Sequence, residues 1–305
     1  MLVHAPAPSV PQRRTLFTRP GALLAATLAM PLAGCGWNSF TVSETSTEVL
    51  SFTDLDTYHT LIVDNRVGDI TLTAEPGARA ITAEITKIGK GSTEEHAKES
   101  LEKIEIVLAP VADEPGVFVC TSEFPKNWHN HGYAVDWRIT APSHLILDVL
   151  GDVGEIAITG FTEGVAARTD VGDIEVIDVQ GGVDLRTDVG DIVAVASGAI
   201  IASSDVGDID IRVLDDGYMN HTINLNSDVG DITVRLPAYY KGLLNASTDV
   251  GDVEANFSNI LAHNLIKRSK NGNTMRAELN GAAEPALEMH AEVGDVELRF
   301  ERPGG

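Results

Sequence analysis

Apolar and polar residues alternate through most of the chain, and one recurring tetrapeptide punctuates the alternation. Val-Gly-Asp-Ile or a close variant stands at residues 67–70, 153–156, 171–174, 189–192, 206–209, 229–232, 250–253 and 293–296. From Val153 the steps between successive valines are 18, 18, 17, 23, 21 and 43 residues. Before the valine, every second position is small or apolar, as in Val165, Ala167 and Thr169 or Val183, Leu185 and Thr187. After it the alternation resumes, as in Ile174 and Val176 or Ile232 and Val234. A period of two on both flanks marks strands with one buried face. Each unit therefore predicts strand, tight turn, strand.

The turn glycines are Gly68, Gly154, Gly172, Gly190, Gly207, Gly230, Gly251 and Gly294. In the four residues Asp170, Val171, Gly172 and Asp173, and their equivalents, glycine stands third, as suits a type II turn, which needs positive φ at that place. The leading Asp is expected to bond a backbone N–H two residues on, as in an Asx turn. Near-identical units of this length match one coil of a solenoid in which like positions stack, and parallel crossovers are overwhelmingly right-handed. The predicted class is all-β, a right-handed single-stranded parallel β-solenoid; an antiparallel sandwich or prism built from hairpins is the competing arrangement. Stacking would gather Thr169, Thr187, Ser204, Ser227 and Thr248 into an inward ladder of hydroxyls bonded to one another. The last step is about two ordinary ones, which predicts a degenerate coil with Lys270, Asn271, Gly272 and Asn273 in the turn.

The step from Val67 to Val153 is 86 residues and lacks the repeat. Within it Ser92 and Glu95 make a capping box, predicting a short exposed helix in the N-terminal part. That helix either shields strand edges at one end of the solenoid or meets a partner. Strands are expected at 104–108, 117–121 and 133–140.

Ahead of the repeats, Arg13, Arg14 and Arg19 precede an apolar run at 21–30 that is too short to span a bilayer. Leu32, Ala33, Gly34 and Cys35 follow, and the tetrapeptide resembles the lipobox of bacterial lipoproteins. The segment 13–17 also resembles a twin-arginine export signal. The resemblance implies a signal peptide over 1–34, a lipid such as palmitate on Cys35, a tether over 35–47 and a solenoid domain over 48–303. It implies a protein held at the extracytoplasmic face of a cell membrane. Cys120 is then the remaining thiol and reads as a buried small hydrophobe.

Residues 135–142, followed by Leu145, Leu147, Val149 and successive Gly-Asp-Ile turns, resemble the putative-adhesin family of bacterial β-solenoids, relatives of the toast-rack domains. Residues 61–70 resemble that family's opening strand pair, and the likeness runs from about Val49 to Phe300. It departs from the family in carrying Val where many members have a polar residue before the glycine. The resemblance implies an envelope location and a non-enzymatic role.

The formal net charge of −23 excludes a phosphate-binding basic face and with it nucleic-acid partners. Stacking would align two acidic columns, Asp152, Asp170, Asp188, Asp205, Asp228 and Asp249 beside Glu155, Asp173, Asp191, Asp208, Asp231 and Asp252. At about 4.8 Å, like charges repel by roughly 1 kcal/mol in water. Backbone N–H groups with Arg168 and Arg186, bulk salt, or bridging Ca²⁺ would each offset that. The candidate Ca²⁺ ligands are Asp170, Asp173, Asp188, Asp191, Asp205 and Asp208. The calcium β-roll resembles this only loosely, because its Gly-Gly-x-Gly-x-Asp repeat is absent.

Equivalent carboxylates on every coil do not make the unlike pair that solenoid polysaccharide hydrolases and lyases require. No Walker loop, nucleophile elbow, dinucleotide fingerprint or His-Glu-x-x-His motif occurs. Trp128, His129, Asn130 and His131 form a polar loop or, if it curls, a weak metal pair. Lys267, Arg268 and Lys270 either compensate the acidic stack, with Lys270 in the column of Asp249 and Glu292, or form a polyanion patch. The expected role is non-catalytic, adhesin-like binding of an envelope protein or glycan near the membrane. An envelope-stress sensing module and a polysaccharide-acting enzyme are the alternatives.

Overall fold

The computed structural model describes residues 42–53, 57–124, 131–214, 221–257, 265–271, 273–280 and 286–301, with backbone alone at 131 and 265–271. The described chain is all-β with one short helix. The N-terminal part comprises β1 (Val42–Phe52), β2 (Thr60–Val67), β3 (Ile70–Glu75), β4 (Ile81–Gly91), α1 (Glu94–Glu102), β5 (Glu105–Pro110), β6 (Val117–Glu123) and β7 (His131–Pro142). The repeats supply β8 (Ile146–Val153), β9 (Ile156–Thr159), β10 (Val165–Val171), β11 (Ile174–Val179), β12 (Val183–Val189), β13 (Ile192–Ala196), β14 (Ile200–Val206) and β15 (Ile209–Val213). They continue through β16 (Ile223–Val229), β17 (Ile232–Pro237), β18 (Gly242–Val250) and β19 (Val253–Asn256). The chain closes with β20 (Leu265–Asn271), β21 (Thr274–Leu279), β22 (Ala286–Val293) and β23 (Val296–Glu301).

Two sheets hold these strands. One has 11, in the order β1-β4-β7-β3-β9-β11-β13-β15-β17-β23-β19, and the other 12, in the order β20-β21-β18-β22-β16-β14-β12-β10-β8-β2-β6-β5. Each Val-Gly-Asp corner carries the chain from the second sheet into the first. Successive inner units pair in parallel with like residues aligned: Val165 with Val183, Thr169 with Thr187, and Ile174 with Ile192. Inward-facing Leu185, Ile174, Ala194 and Leu225 are fully or almost fully buried between the sheets. The Ile-on-Ile stack thus becomes one continuous core, the main favourable term in folding.

The order of stacking departs from the order of the sequence at both ends. The β2/β3 unit lies between β6/β7 and β8/β9, and β22/β23 lies between β16/β17 and β18/β19. The 43-residue step is therefore not two coils with a degenerate turn. β20 and β21 form an antiparallel pair beyond β18, with Lys270 opposite Met275. Lys270 consequently leaves the column of Asp249 and Glu292. A period of two reveals that Met275, Ala277 and Leu279 face the core, but it is silent about the direction of the strand beside them.

The N-terminal end is antiparallel as well, through β1, β4 and β7 in one sheet and β5 and β6 in the other. Parallel pairing of successive units describes the interior of the stack and, in the 11-stranded sheet, its far edge at β19; the remaining ends are antiparallel. The expected strands near 104, 117 and 133 are β5, β6 and β7. β1 begins at Val42, paired with Gly91, so 42–47 is strand rather than tether and the folded part starts before the expected boundary at Glu48.

The helix is capped one residue later than the capping-box reading placed it. Thr93 Oγ1 accepts the His96 N–H at 3.2 Å, and Ser92 Oγ instead bonds the His96 ring. α1 lies against β4, β1 and β7. It comes this close because Gly89 and Gly91 have no side chain: a Cβ would fall 2.2 Å from the Ala97 carbonyl oxygen at Gly89 and 2.6 Å from the Ala97 nitrogen at Gly91. Cys120 is buried, as its apolar neighbours suggested, and burial pushes its thiol up to about 12.

Candidate functional site

The corner, repeated along the stack, is the most distinctive feature of the described surface, and its backbone can be followed group by group. At the third coil, Gly172 N–H donates to Val189 O at 2.9 Å, and Ile174 N–H donates to Asp191 O at 2.9 Å. These bonds run toward the next coil. The glycine carbonyl and the N–H of the Asp after each glycine remain for side chains to serve. Thr187 Oγ1 donates to Gly172 O at 3.0 Å from inside, and Asp191 N–H donates to Asp173 Oδ1 at 2.8 Å outside.

Both side-chain bonds recur. Ser204, Ser227 and Thr248 donate to Gly190 O, Gly207 O and Gly294 O at 3.0, 3.1 and 2.8 Å, and Thr169 reaches Gly154 O at 3.5 Å. The inward hydroxyls thus bond glycine carbonyls of the adjacent coil, not one another as expected. Their reason is the accounting for buried polar groups, which the strand ladder alone leaves incomplete at a corner. In the coil ahead of Gly151, the buried Asn65 does the equivalent work, donating to Gly68 O and Val135 O while accepting from Ser122 Oγ.

Outside, carboxylates of Asp136, Asp69, Asp173, Asp191, Asp208, Asp231 and Asp295 accept the N–H of the residue stacked above, at 2.7–3.1 Å. The ladder is interrupted once. Glu155, one methylene longer, makes no such bond to Asp173 among the described residues, and a shallow groove of about 250 Å³ lies there, lined by Glu155, Ala157, Asp173, Glu175, Asp191 and Val193. A carboxylate that accepts a backbone N–H gains a charge-assisted bond, which offsets much of the repulsion between neighbours. Burial raises the Asp136 carboxyl above its usual value, and the bond from the Asp69 N–H opposes that.

The stacking also explains the glycines. φ at Gly154, Gly172, Gly190, Gly207 and Gly230 is +145 to +153. That is well beyond the roughly +80 of a type II turn, so the corner is a more open bend than the sequence suggested. A Cβ on Gly190 would stand 2.1 Å from Gly172 O. Conformation and close backbone approach both demand glycine.

The leading aspartates play no part in this scheme. Instead of the expected Asx bonds, the side chains of Asp170, Asp188, Asp205 and Asp249 project to solvent without a cation partner among the described residues, whereas Asp152 pairs with Arg66 at 3.4 Å. Arg168 and Arg186 do not compensate either column, because both pair with Asp184, at 3.7 and 3.0 Å. Among the described residues, no group of three or more His, Cys, Asp and Glu side chains is placed to hold a metal. For Asp173, Asp191 and Asp208, one carboxylate oxygen is already engaged by a backbone N–H.

The corner valines escaped the sequence reading. Val171 is in phase with the buried Val165, Ala167 and Thr169, so alternation assigns it to the core. The bend turns it out, and Val153, Val171, Val189, Val206, Val229, Val250 and Val293 are all exposed. Cys35 and residues 128–130 lie outside the described residues. The side chains of His131, Lys267, Arg268 and Lys270 lie outside them too.

No family model matches this chain, and no curated protein matches it. Similar solved structures include a putative cell adhesion protein from Clostridium sporogenes, at 14% identity over 85% of this chain and 100% of that one, with a TM-score of 0.33. A putative adhesin from Bacteroides fragilis is similar at 13% identity over 83% of this chain and 97% of that one, with a TM-score of 0.37. One from Parabacteroides distasonis matches at 13% identity over 84% and 97%, with a TM-score of 0.32. At these values the likeness is loose.

Proposed function

We propose that this chain is a non-catalytic binding module, anchored by lipid on Cys35 at the extracytoplasmic face of a membrane, that engages an envelope protein or glycan close by. The observation that carries the reading is the uniformity of the corner: coil after coil offers the same outward Asp and Val in register. Carboxylate catalysis requires two groups made unlike by their surroundings, whereas equivalent groups at a fixed spacing suit recognition of an extended partner. We read the paired sheets as one right-handed parallel β-solenoid, since parallel crossovers take that hand. The rigidity of such a stack keeps the spacing constant.

Reach favours a partner at the membrane. With the first strand starting at Val42, the chain from Cys35 spans at most about 25 Å when extended. This suits a local signalling or envelope partner better than adhesion to a distant surface.

Membrane fractionation and cross-linking in cells test the proposal. Wild-type protein should sediment with membranes and cross-link to an envelope component, and Cys35→Ala should become soluble. An unchanged membrane fraction in Cys35→Ala would end the anchor assignment. The absence of any cross-linked component would end the binding assignment.

A further inference from the structure

At each corner Thr or Ser serves the glycine carbonyl, Gly permits the bend, the second Asp serves a backbone N–H, and Ile enters the core. Two positions are left over, the leading Asp and the Val, and both recur without a part in this bonding. The valines stack in register, Val153 on Val171, Val189, Val206, Val229, Val293 and Val250. Those within the row are 46–48% exposed, while Val250 at its end, with one valine neighbour, is 62% exposed. Neighbours therefore cover each other's sides and leave an outward apolar seam. Single exposed valines are ordinary, but a contiguous row marks an interaction surface.

We infer that this seam is the docking surface for a cationic amphipathic helix of a protein partner, with the helix's apolar stripe on the valines and its Lys and Arg side chains on the flanking carboxylates. The inference rests on the binding-module reading and adds the surface and the chemistry of its partner. Charge selects the occupant. Asp170, Asp188, Asp205 and Asp249 flank the valines on one side without a cation partner among the described residues. The Asp173, Asp191, Asp208 and Asp231 column flanks them on the other. A second copy of this chain would bring like columns together, and with a net charge of −23 the chain repels anionic lipid and nucleic acid. Geometry fits as well: coils repeat at about 4.8 Å and helix turns at about 5.4 Å, so the two stay in step for about four turns before slipping by half a coil.

The test uses the protein from residue 35 onward and two synthetic peptides of about 18 residues, or five helical turns. One is an amphipathic Leu/Lys helix, the other a Lys/Ser peptide of equal charge. Wild-type protein should bind the Leu/Lys helix at least about tenfold more tightly than the Lys/Ser peptide. Val171→Thr, Val189→Thr, Val206→Thr and Val229→Thr combined should abolish that preference while leaving Lys/Ser binding unchanged. Threonine keeps the β-branched shape at an exposed position, so the melting temperature should hold; if it falls, Val206→Thr alone should show a smaller loss of preference. Asp170→Asn, Asp188→Asn and Asp205→Asn combined should weaken both peptides and flatten the salt dependence.

Equal binding of the two peptides by wild-type protein, or an undiminished preference in the threonine variants, overturns the seam. So does cross-linking in cells to the same envelope component by wild-type and fourfold variant alike, an outcome that leaves the binding-module reading standing.

Discussion

The inner coils and the two ends of this molecule solve the same problem by different means. In the interior, each strand finds a parallel neighbour carrying like residues, and one repeat supplies core, corner and hydrogen bonds. At the ends, no further coil among the described residues receives the open backbone. Antiparallel strands close both sheets at one end, through β1, β4 and β7 and through β5 with β6, and close the 12-stranded sheet at the other, through β18, β21 and β20, where the 11-stranded sheet ends on β19, parallel to β23. Exposed parallel edges invite pairing with other chains, and hairpins with a covering helix blunt them. Repetition builds the parallel stack, and breaking the repetition ends it.

Four substitutions sharpen this contrast. The largest effect belongs to the interior. Gly190→Ala places a Cβ 2.1 Å from Gly172 O at a φ of +153. Strain and overpacking together should cost about 3 kcal/mol or more, read as a large drop in melting temperature. Gly77→Ala, at a φ of +80 with open space around it, should cost roughly 1 kcal/mol from backbone strain alone. Equal losses in the two would show that backbone approach between coils is not what fixes the corner glycine.

Next comes the N-terminal cap. Gly89→Ala drives a Cβ against Ala97 and Leu101 of α1 and should lift the helix at about 1–3 kcal/mol. Hydrogen exchange should accelerate in 94–102 while the inner coils stay protected. Acceleration throughout the stack would mean that the cap and the interior are one cooperative unit.

The smallest effect is expected at the acidic ladder. Asp191→Asn keeps an oxygen to accept the Asp208 N–H and removes one like charge, so stability should change by less than about 1 kcal/mol. Because the backbone already serves that column, millimolar Ca²⁺ and excess chelator should give the same melting temperature. A rise with Ca²⁺ that Asp191→Asn abolishes would assign the ladder to a metal.

Much of the interior was legible because the buried set recurs: Val165, Ala167 and Thr169 forecast Val183, Leu185 and Thr187 as their stacked partners, and β10 and β12 pair accordingly. The positions of the glycines were legible too, though the tight approach that enforces them was not. Alternation puts the hydroxyls of Thr187 and Ser204 on the inner face, but their acceptor, a glycine carbonyl in another coil, has no signature in the sequence. Gly89 and Gly91 could have been noticed as glycines at alternate positions of a strand, a sign of close backbone approach. The valines misled because Val171 keeps the period of the buried residues to the point at which the chain bends.

What the sequence determined by itself was the unit: a strand, a glycine corner and a strand, with its buried face and its acidic exterior, because these follow from local alternation and from the conformational freedom of one residue type. The order of the stack, the insertion of β2/β3 and β22/β23 between units from elsewhere in the chain, and the antiparallel strands at three of the four sheet edges arise only in the folded molecule. Units with identical edges can pair in any order, so nothing local distinguishes one neighbour from another; the choice falls to the contacts that close the whole.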